Sequence, residues 1–305
     1  MAKGGNPLHD SVPIGEEAKP PFAILPDPAA MFAARAARFR ALADGHELGP
    51  YLLFLAGIAD IQNALIGVLP DVTRPGADAQ ARAATYAMPP LDRNAFVYDD
   101  IFKATFAKLL AAAAELDMPQ AARDALDRLI AADDTRREEL TRAMLADSAE
   151  IEFLADHIFV AAALQVHLAR LAATLDADKL VEIGPGACPS CGGPPVSTMV
   201  VGWVGSHGSR FCVCAHCATK WNYVRIKCTL CGETKGIEYH EVDGSGGAVK
   251  AESCASCGGY VKALQQIKHP DVDPVADDVA SLALDILMRE EGRKRGAVNP
   301  FLFGY

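Results

Sequence analysis

Several function classes are thinly supported by this 305-residue chain. Its 29 Lys and Arg against 39 Asp and Glu leave a net charge of −10, so it lacks the basic surface of a protein that works by neutralising phosphate. Aromatics make up only 7% of a chain that is half apolar, and the apolar count leans on alanine, which suits close-packed helices. The most hydrophobic run, Tyr51–Leu69, is interrupted by Asp60, Gln62 and Asn63, groups that a bilayer would penalise. It reads as a buried helix of a bundle, with no membrane insertion. Residues 1–26 contain no apolar h-region of the export-signal type and read as a flexible Pro- and Gly-rich leader. A cytoplasmic protein is expected, where paired cysteines indicate metal or redox chemistry and not structural disulfides. Nor is there a Gly-rich phosphate loop, a G-x-S-x-G elbow or a carboxylate pair with a second signal beside it. The residues make no independent case for an enzyme.

What is present falls into two compositional halves. Residues 27–182 read as an all-α domain. Asp27 is placed to cap a helix with Pro28 at its first position and Gly45 as its stop. Further helices are expected over Tyr51–Leu69, Asp100–Leu116, Gln120–Ala131, Thr135–Ala146 and Ser148–Leu175, with breaks at "PDVTRPGAD" and "MPPLDRN". At "EIGPGACPSCGGPP" the register changes to Gly, Pro and Cys, followed by short β-type runs to about Ile267. A final segment, 270–305, reads as one helix capped by Asp273, with Val275, Val279, Leu282 and Ile286 as its apolar stripe and Gly292 as its stop. An extended tail ending in "NPFLFGY" follows.

The cysteines organise the second half. Cys188, Cys191, Cys214 and Cys217, displaced by forty, fall on Cys228, Cys231, Cys254 and Cys257. One structural unit is therefore used twice, and the expected units are 183–226 and 227–269. Two residues between cysteines let a tight turn aim both sulfurs at one ion, and a second knuckle completes a tetrahedral four-sulfur site. The repeat assigns the first four cysteines to one ion and the last four to another, iron or zinc, in tandem zinc-ribbon or rubredoxin-like units. A crossed arrangement, first pair with third and second with fourth, uses the same ligands. A thioredoxin-type dithiol lacks the βαβ context it needs. Gly192, Gly232 and Gly258 follow three of the knuckles where positive φ is often required, whereas Ala218 departs from that pattern. Cys212, the ninth, stands outside the scheme and reads as a packed side chain.

Other candidates are weighed against blander roles. Alternation in "KWNYVRIKC" would put Trp221, Tyr223, Arg225 and Lys227 on one strand face. That face could be solvated, packed between domains, a partner surface or, with aromatics among basic residues, a nucleic-acid platform. From Cys188 to Lys262 seven basic residues stand against five acidic ones, which argues against a strong phosphate binder. His157 and His167 have no Glu-x-x-His partner, and eight thiolates leave no need for His207, His216 or His240. Phe301 and Phe303 in the tail are either docked on their own domain or a hook for another protein.

The helix "DPAAMFAARAARFRALADGHELGPYLLFLA", the knuckles "KCTLCGE" and "AESCASCGGY", the segment "VADDVASLALDILMREEG" and the ending "NPFLF" together resemble the bacterial formate dehydrogenase accessory family FdhE. The resemblance spans nearly the whole chain after the leader. It implies a cytoplasmic maturation factor without catalytic activity that binds the molybdenum-containing catalytic subunit of formate dehydrogenase before export. It also implies rubredoxin-like sites, with iron as the metal of the family, whose ligands fall on the eight cysteines already chosen. A zinc-ribbon nucleic-acid binder and a dithiol oxidoreductase are the rival readings. Trp221, Tyr223, Arg225, Phe301 and Phe303 are the candidate partner contacts, on physical grounds alone, and self-association stays open.

Overall fold

The computed structural model describes residues 20–148 and 150–302. The helical half contains α1 (Pro28–Ala43), α2 (Gly49–Ile66), α3 (Ala77–Thr85), α4 (Asp100–Ala113), α5 (Gln120–Ala131), α6 (Asp134–Leu145) and α7 (Leu154–Ala172). Their starts are set by short polar caps. The carboxylates of Asp27, Asp99 and Asp133 accept from the backbone N–H three residues on, satisfying donors that a first helical turn leaves open. Helix α7 is buried along nearly its whole length and serves as the post around which α2, α4, α5 and α6 pack. The apolar run of the second helix is thus core, with Leu52, Leu55, Ile58 and Ala59 fully enclosed. Only α2 and α7, among the described residues, have the length and apolarity of a membrane span, and both are packed in this bundle.

The second half forms one mixed sheet. Its strands are β1 (Ala23–Ile24), β2 (Pro195–Val200), β3 (Arg210–Cys214), β4 (Lys220–Asn222), β5 (Ile237–His240), β6 (Val249–Cys254), β7 (Gly259–Gln265) and β8 (Lys294–Arg295). The order is β1-β4-β3-β2-β7-β6-β5, with β8 on β7. Strands β2–β4 and β5–β7 are antiparallel triplets, one from each repeat, and the parallel pairing of β2 with β7 fuses them. Residues 23–24, expected to belong to the leader, instead add an edge strand against Lys220 and Trp221. An exposed strand edge is a liability, and this short segment covers it.

The C-terminal helix is broken where one continuous helix was expected. Helix α8 (Ala276–Ala280) ends and α9 (Leu282–Glu290) begins on either side of Ser281, whose hydroxyl donates back to the Asp277 and Asp278 carbonyls at 2.7 and 3.2 Å. Such back-bonding bends helices. The break rotates the later turn, so Leu284 and Met288 face inward and Ile286, placed in the expected stripe, is exposed. Asp273 does cap this region, accepting from Val275 and Ala276 N–H at 2.9 and 2.8 Å.

Polar ties join the helical half to the C-terminal segment and to the β module. Arg35 donates to Asp273 and to Gln165 at 3.2 Å each, Gln165 donates to the Ala215 carbonyl at 3.0 Å, and Arg38 clamps Asp277 at 2.6 and 2.9 Å. The apolar core runs through both halves without interruption and includes the first four cysteines of the repeat.

Candidate metal centres

The knuckles are tight backbone turns, and at three of them backbone N–H groups point at a cysteine sulfur. Gly192 and Gly232 donate to the Cys188 and Cys228 carbonyls at 2.8 and 3.0 Å, and Gly258 donates to the Cys254 carbonyl at 3.0 Å. His216 N–H lies 3.4 Å from Cys214 Sγ, and Leu230 N–H lies 3.4 Å from Cys228 Sγ. The residue after the second cysteine is left-handed at all four knuckles, with φ of 75°, 78° and 68° at the glycines and 58° at Ala218. Ala218 therefore completes the same turn as the glycines and carries the strain of a side chain there.

The knuckles converge in tandem: Cys188, Cys191, Cys214 and Cys217 form one quartet, and Cys228, Cys231, Cys254 and Cys257 the other, with the sulfurs of each within 4.8 Å of one another. The crossed arrangement does not form. Sulfur separations are 3.6 Å for Cys188–Cys217, 3.4 Å for Cys191–Cys214, and 3.8 Å for both Cys228–Cys257 and Cys231–Cys254. A tetrahedron built on a metal–sulfur bond of about 2.3 Å has edges of about 3.8 Å. A disulfide bond of about 2.05 Å is far shorter, and all nine cysteines are free. The donor set and its spacing fit a four-thiolate metal ion.

Without an ion, the thiols of a quartet hold their protons unequally. Burial pushes the Cys188 thiol well above its ordinary range, and the neighbouring sulfurs do the same to Cys191. Cys217 is drawn well below it, against burial, by the other three thiols and the Thr219 hydroxyl 3.2 Å away. In the second quartet burial raises Cys228 to about 12, while Cys254 is lowered, again against burial, by backbone N–H groups and its sulfur neighbours. A thiol quartet can thus keep few negative charges on its own. Four thiolates at one point need a divalent cation between them.

The other predicted site residues are placed differently. Strand β4 stops at Asn222, so "KWNYVRIKC" does not continue as a strand. Trp221 and Tyr223 are 3% and 7% exposed. This corrects both the partner-contact and the base-stacking readings for those two rings: neither presents an exposed face, because Trp221 is packed in the main apolar core and Tyr223 is turned inward under Arg210, whose guanidinium lies 5.3 Å from the ring centroid. The exposed part is the turn that follows, Val224, Arg225 and Ile226. Phe301 is buried and its carbonyl accepts from Tyr51 Oη at 2.7 Å, which docks this part of the tail in cis. Phe303 lies outside the described residues. Cys212 is fully enclosed on β3 and is not a member of either quartet, and burial raises its thiol to about 12.

Sequence reasoning missed what binds the two units together. Arg210 of β3 donates to both carboxylate oxygens of Glu252 on β6 and to the Lys227 carbonyl at 2.5 Å. Tyr239 Oη adds a 2.9 Å bond to Glu252, and Tyr223 Oη donates to the Cys228 carbonyl at 3.2 Å. This buried group thus reaches the backbone at the first knuckle of the second quartet. The signal available was an Arg and a Glu inside otherwise apolar β runs. A second buried group, Lys262, Asp278, Asp285 and Arg295 with Tyr260 and Asn299, fastens the C-terminal helices to β7.

A helical bundle fused through one continuous core to a duplicated four-cysteine β module defines a class: a protein of two paired thiol centres built on a helical body. Three family models match it in succession: FdhE N-terminal over residues 20–185, FdhE central domain over 187–225, and FdhE C-terminal domain over 226–302. The chain is 46% identical over 294 residues to the FdhE homolog of Rhizobium meliloti, covering 96% of each, and 38% identical over 289 residues to that of Edwardsiella ictaluri, covering 92% of this chain and 91% of the relative. The crystal structure of the FdhE protein from Pseudomonas aeruginosa superposes with a TM-score of 0.84 at 32% identity, over 93% of this chain and 99% of that one. The chain belongs to the FdhE family of formate dehydrogenase accessory proteins.

Proposed function

We propose that this chain is a cytoplasmic maturation factor that binds the catalytic subunit of formate dehydrogenase before export, holds one iron or zinc ion in each quartet, and performs no catalysis of its own. The observation that carries the reading is the pair of quartets, spaced for four-thiolate coordination, in a chain of the FdhE family. Iron and zinc both accept four thiolates. With either ion, the chain's own residues supply the thiolates, aim N–H groups at the sulfurs and shape the enclosing turns. Metal binding then contributes to folding, because each three-stranded unit has little apolar surface of its own.

For the client surface we favour the turn that joins the two units. Val224 and Ile226 are 59% and 61% exposed on either side of the exposed Arg225, beside a cavity of about 240 Å³ lined by Phe22, Trp221, Tyr223 and Lys227. Two exposed aliphatics around a guanidinium suit an acidic, partly apolar patch on the catalytic subunit. The test is anaerobic purification from cells expressing formate dehydrogenase, with metal and thiol analysis of the product. Two ions per chain, one thiol outside the metal sites and the catalytic subunit in the eluate are expected. Arg225→Glu should lower the captured catalytic subunit by about tenfold, a loss of the order of a truncated charged contact, with metal content unchanged. Metal-free protein with eight reactive thiols would refute the metal reading, and unchanged capture by Arg225→Glu would refute the surface.

A further inference from the structure

The two quartets repeat in sequence but not in surroundings. In the first, all four cysteines are buried and belong to the main core. The helical half closes over it: Leu91 N–H donates to the Ser190 carbonyl at 2.9 Å, Arg93 N–H to the Cys191 carbonyl at 3.1 Å, and Gln165 to the Ala215 carbonyl at 3.0 Å. In the second, Cys228 and Cys254 are buried, but Cys231 and Cys257 are exposed. These two come from different knuckles, so the opening lies along one edge of the sulfur tetrahedron and is not one frayed turn. The residues around it, Thr234, Lys235, Gly236, Ala255 and Ser256, are themselves exposed, and none of the four cysteines belongs to the main core.

We infer that the second quartet is a ligand-exchange site, open to thiolate-bearing or other soft chelating ligands, whereas the first is a fixed structural centre. The inference rests on both quartets holding metal. Thiolate–metal bonds exchange by approach of an incoming donor, and reaction at a cysteine sulfur follows its accessibility. At the second site an incoming thiol reaches the ion between Cys231 and Cys257. A new metal–sulfur bond forms as the bond to one of those cysteines breaks, and the thiol's proton passes to the released cysteine, so charge at the ion is unchanged. Cys228 and Cys254 keep the ion on the chain during the step. At the first site, among the described residues, all four cysteines are buried and the helical half lies against the knuckle of Cys191. The arrangement gives the protein one centre that holds the bundle to the sheet and one that can bond to a cysteine ligand or give up its ion.

The zinc-loaded full chain tests this, with 4-(2-pyridylazo)resorcinol as chelator and N-ethylmaleimide alkylation mapped by mass spectrometry. Two kinetic phases of one ion each are expected, the first at least about tenfold faster, as the exposure of the ligands dictates. Alkylation should appear at Cys231 and Cys257 during the fast phase, and glutathione should accelerate that phase alone. Cys257→Ser should bind one ion and release it only in the slow phase. If that variant fails to fold, the alkylation order in the unmutated chain decides. Two ions released at a single rate, or Cys188 and Cys191 modified as fast as Cys231 and Cys257, would overturn the inference while leaving the metal sites standing. A starting content below two ions would overturn the metal reading itself.

Discussion

Replacing Arg210 with Met should be among the most damaging single changes in the sheet. Its side chain is fully enclosed, its partner Glu252 nearly so, and the substitution removes three interactions at once. Glu252 would be left as a buried carboxylate held, among the described residues, by Tyr239, the Lys227 carbonyl would lose its donor, and the ring of Tyr223 would keep the Lys227 ammonium but lose the Arg210 guanidinium. Breaking a buried ion pair from one side costs about 3–5 kcal/mol, because the remaining charge is uncompensated. With a urea dependence of about 3 kcal/mol per molar, the midpoint of the metal-loaded chain should fall by about 1–1.7 M. The double variant Arg210→Met/Glu252→Met exchanges the pair for apolar groups of similar volume and should recover most of that loss. The assay is a double-mutant cycle in urea, followed by far-ultraviolet circular dichroism. Since Arg210 also fixes the backbone next to Cys228, the single variant should speed ion release from the second quartet and leave the first unchanged. A midpoint shift below about 0.3 M, or a double variant as unstable as the sum of the singles, would refute the assignment of this pair as the clasp between the units.

His167 supplies a pH test. Burial against Phe96 and Phe102 lowers its pKa to about 4, so the folded chain binds fewer protons than the unfolded chain between there and about 6.5. Stability is then complete above pH 6.5 and falls by about 3 kcal/mol as the pH drops toward 4. His167→Phe should flatten that part of the profile in urea midpoints taken from pH 7.5 to 4.5, and an unchanged slope would count against it. Two glycines separate strain from collision. Gly258 is left-handed in open space, and Gly258→Ala should cost about 1 kcal/mol. A Cβ on Gly186, also left-handed, would lie 2.3 Å from the Thr229 carbonyl oxygen, so Gly186→Ala should cost about 3 kcal/mol or more. Equal melting temperatures for the two variants would contradict this.

Features whose chemistry is local were legible in the sequence. The cap at Asp27, the bounds of Gln120–Ala131 and the tandem closure of both quartets all depend on residues within a turn or on a fixed ligand spacing. Long-range features were not. Nothing in the spacing of "KWNYVRIKC" announces that residues 23–24 will pair along its edge, that Trp221 will join the main core, or that Arg210 will draw Tyr223 inward. The stripe across Val275–Ile286 fits one helix until Ser281 turns its hydroxyl back onto the chain.

The unequal fate of the two repeats lies between these cases. Displaced by forty, Ser190 corresponds to Leu230 and Thr219 to Gly259. In the first unit Thr219 donates to Ser190 at 2.9 Å beside Cys217, a buried polar pair that suits an enclosed quartet whose hydroxyls need partners. In the second, Leu230 lies against Gly259 and Gly296, where a Cβ would come within 2.5 and 2.2 Å of its Cδ1. There a local aliphatic contact takes the place of the helical half. The ligand spacing reports only how sulfurs reach an ion. It is the residues within and just beyond the knuckles, differing at these matched positions, that carry the information about what surrounds each quartet.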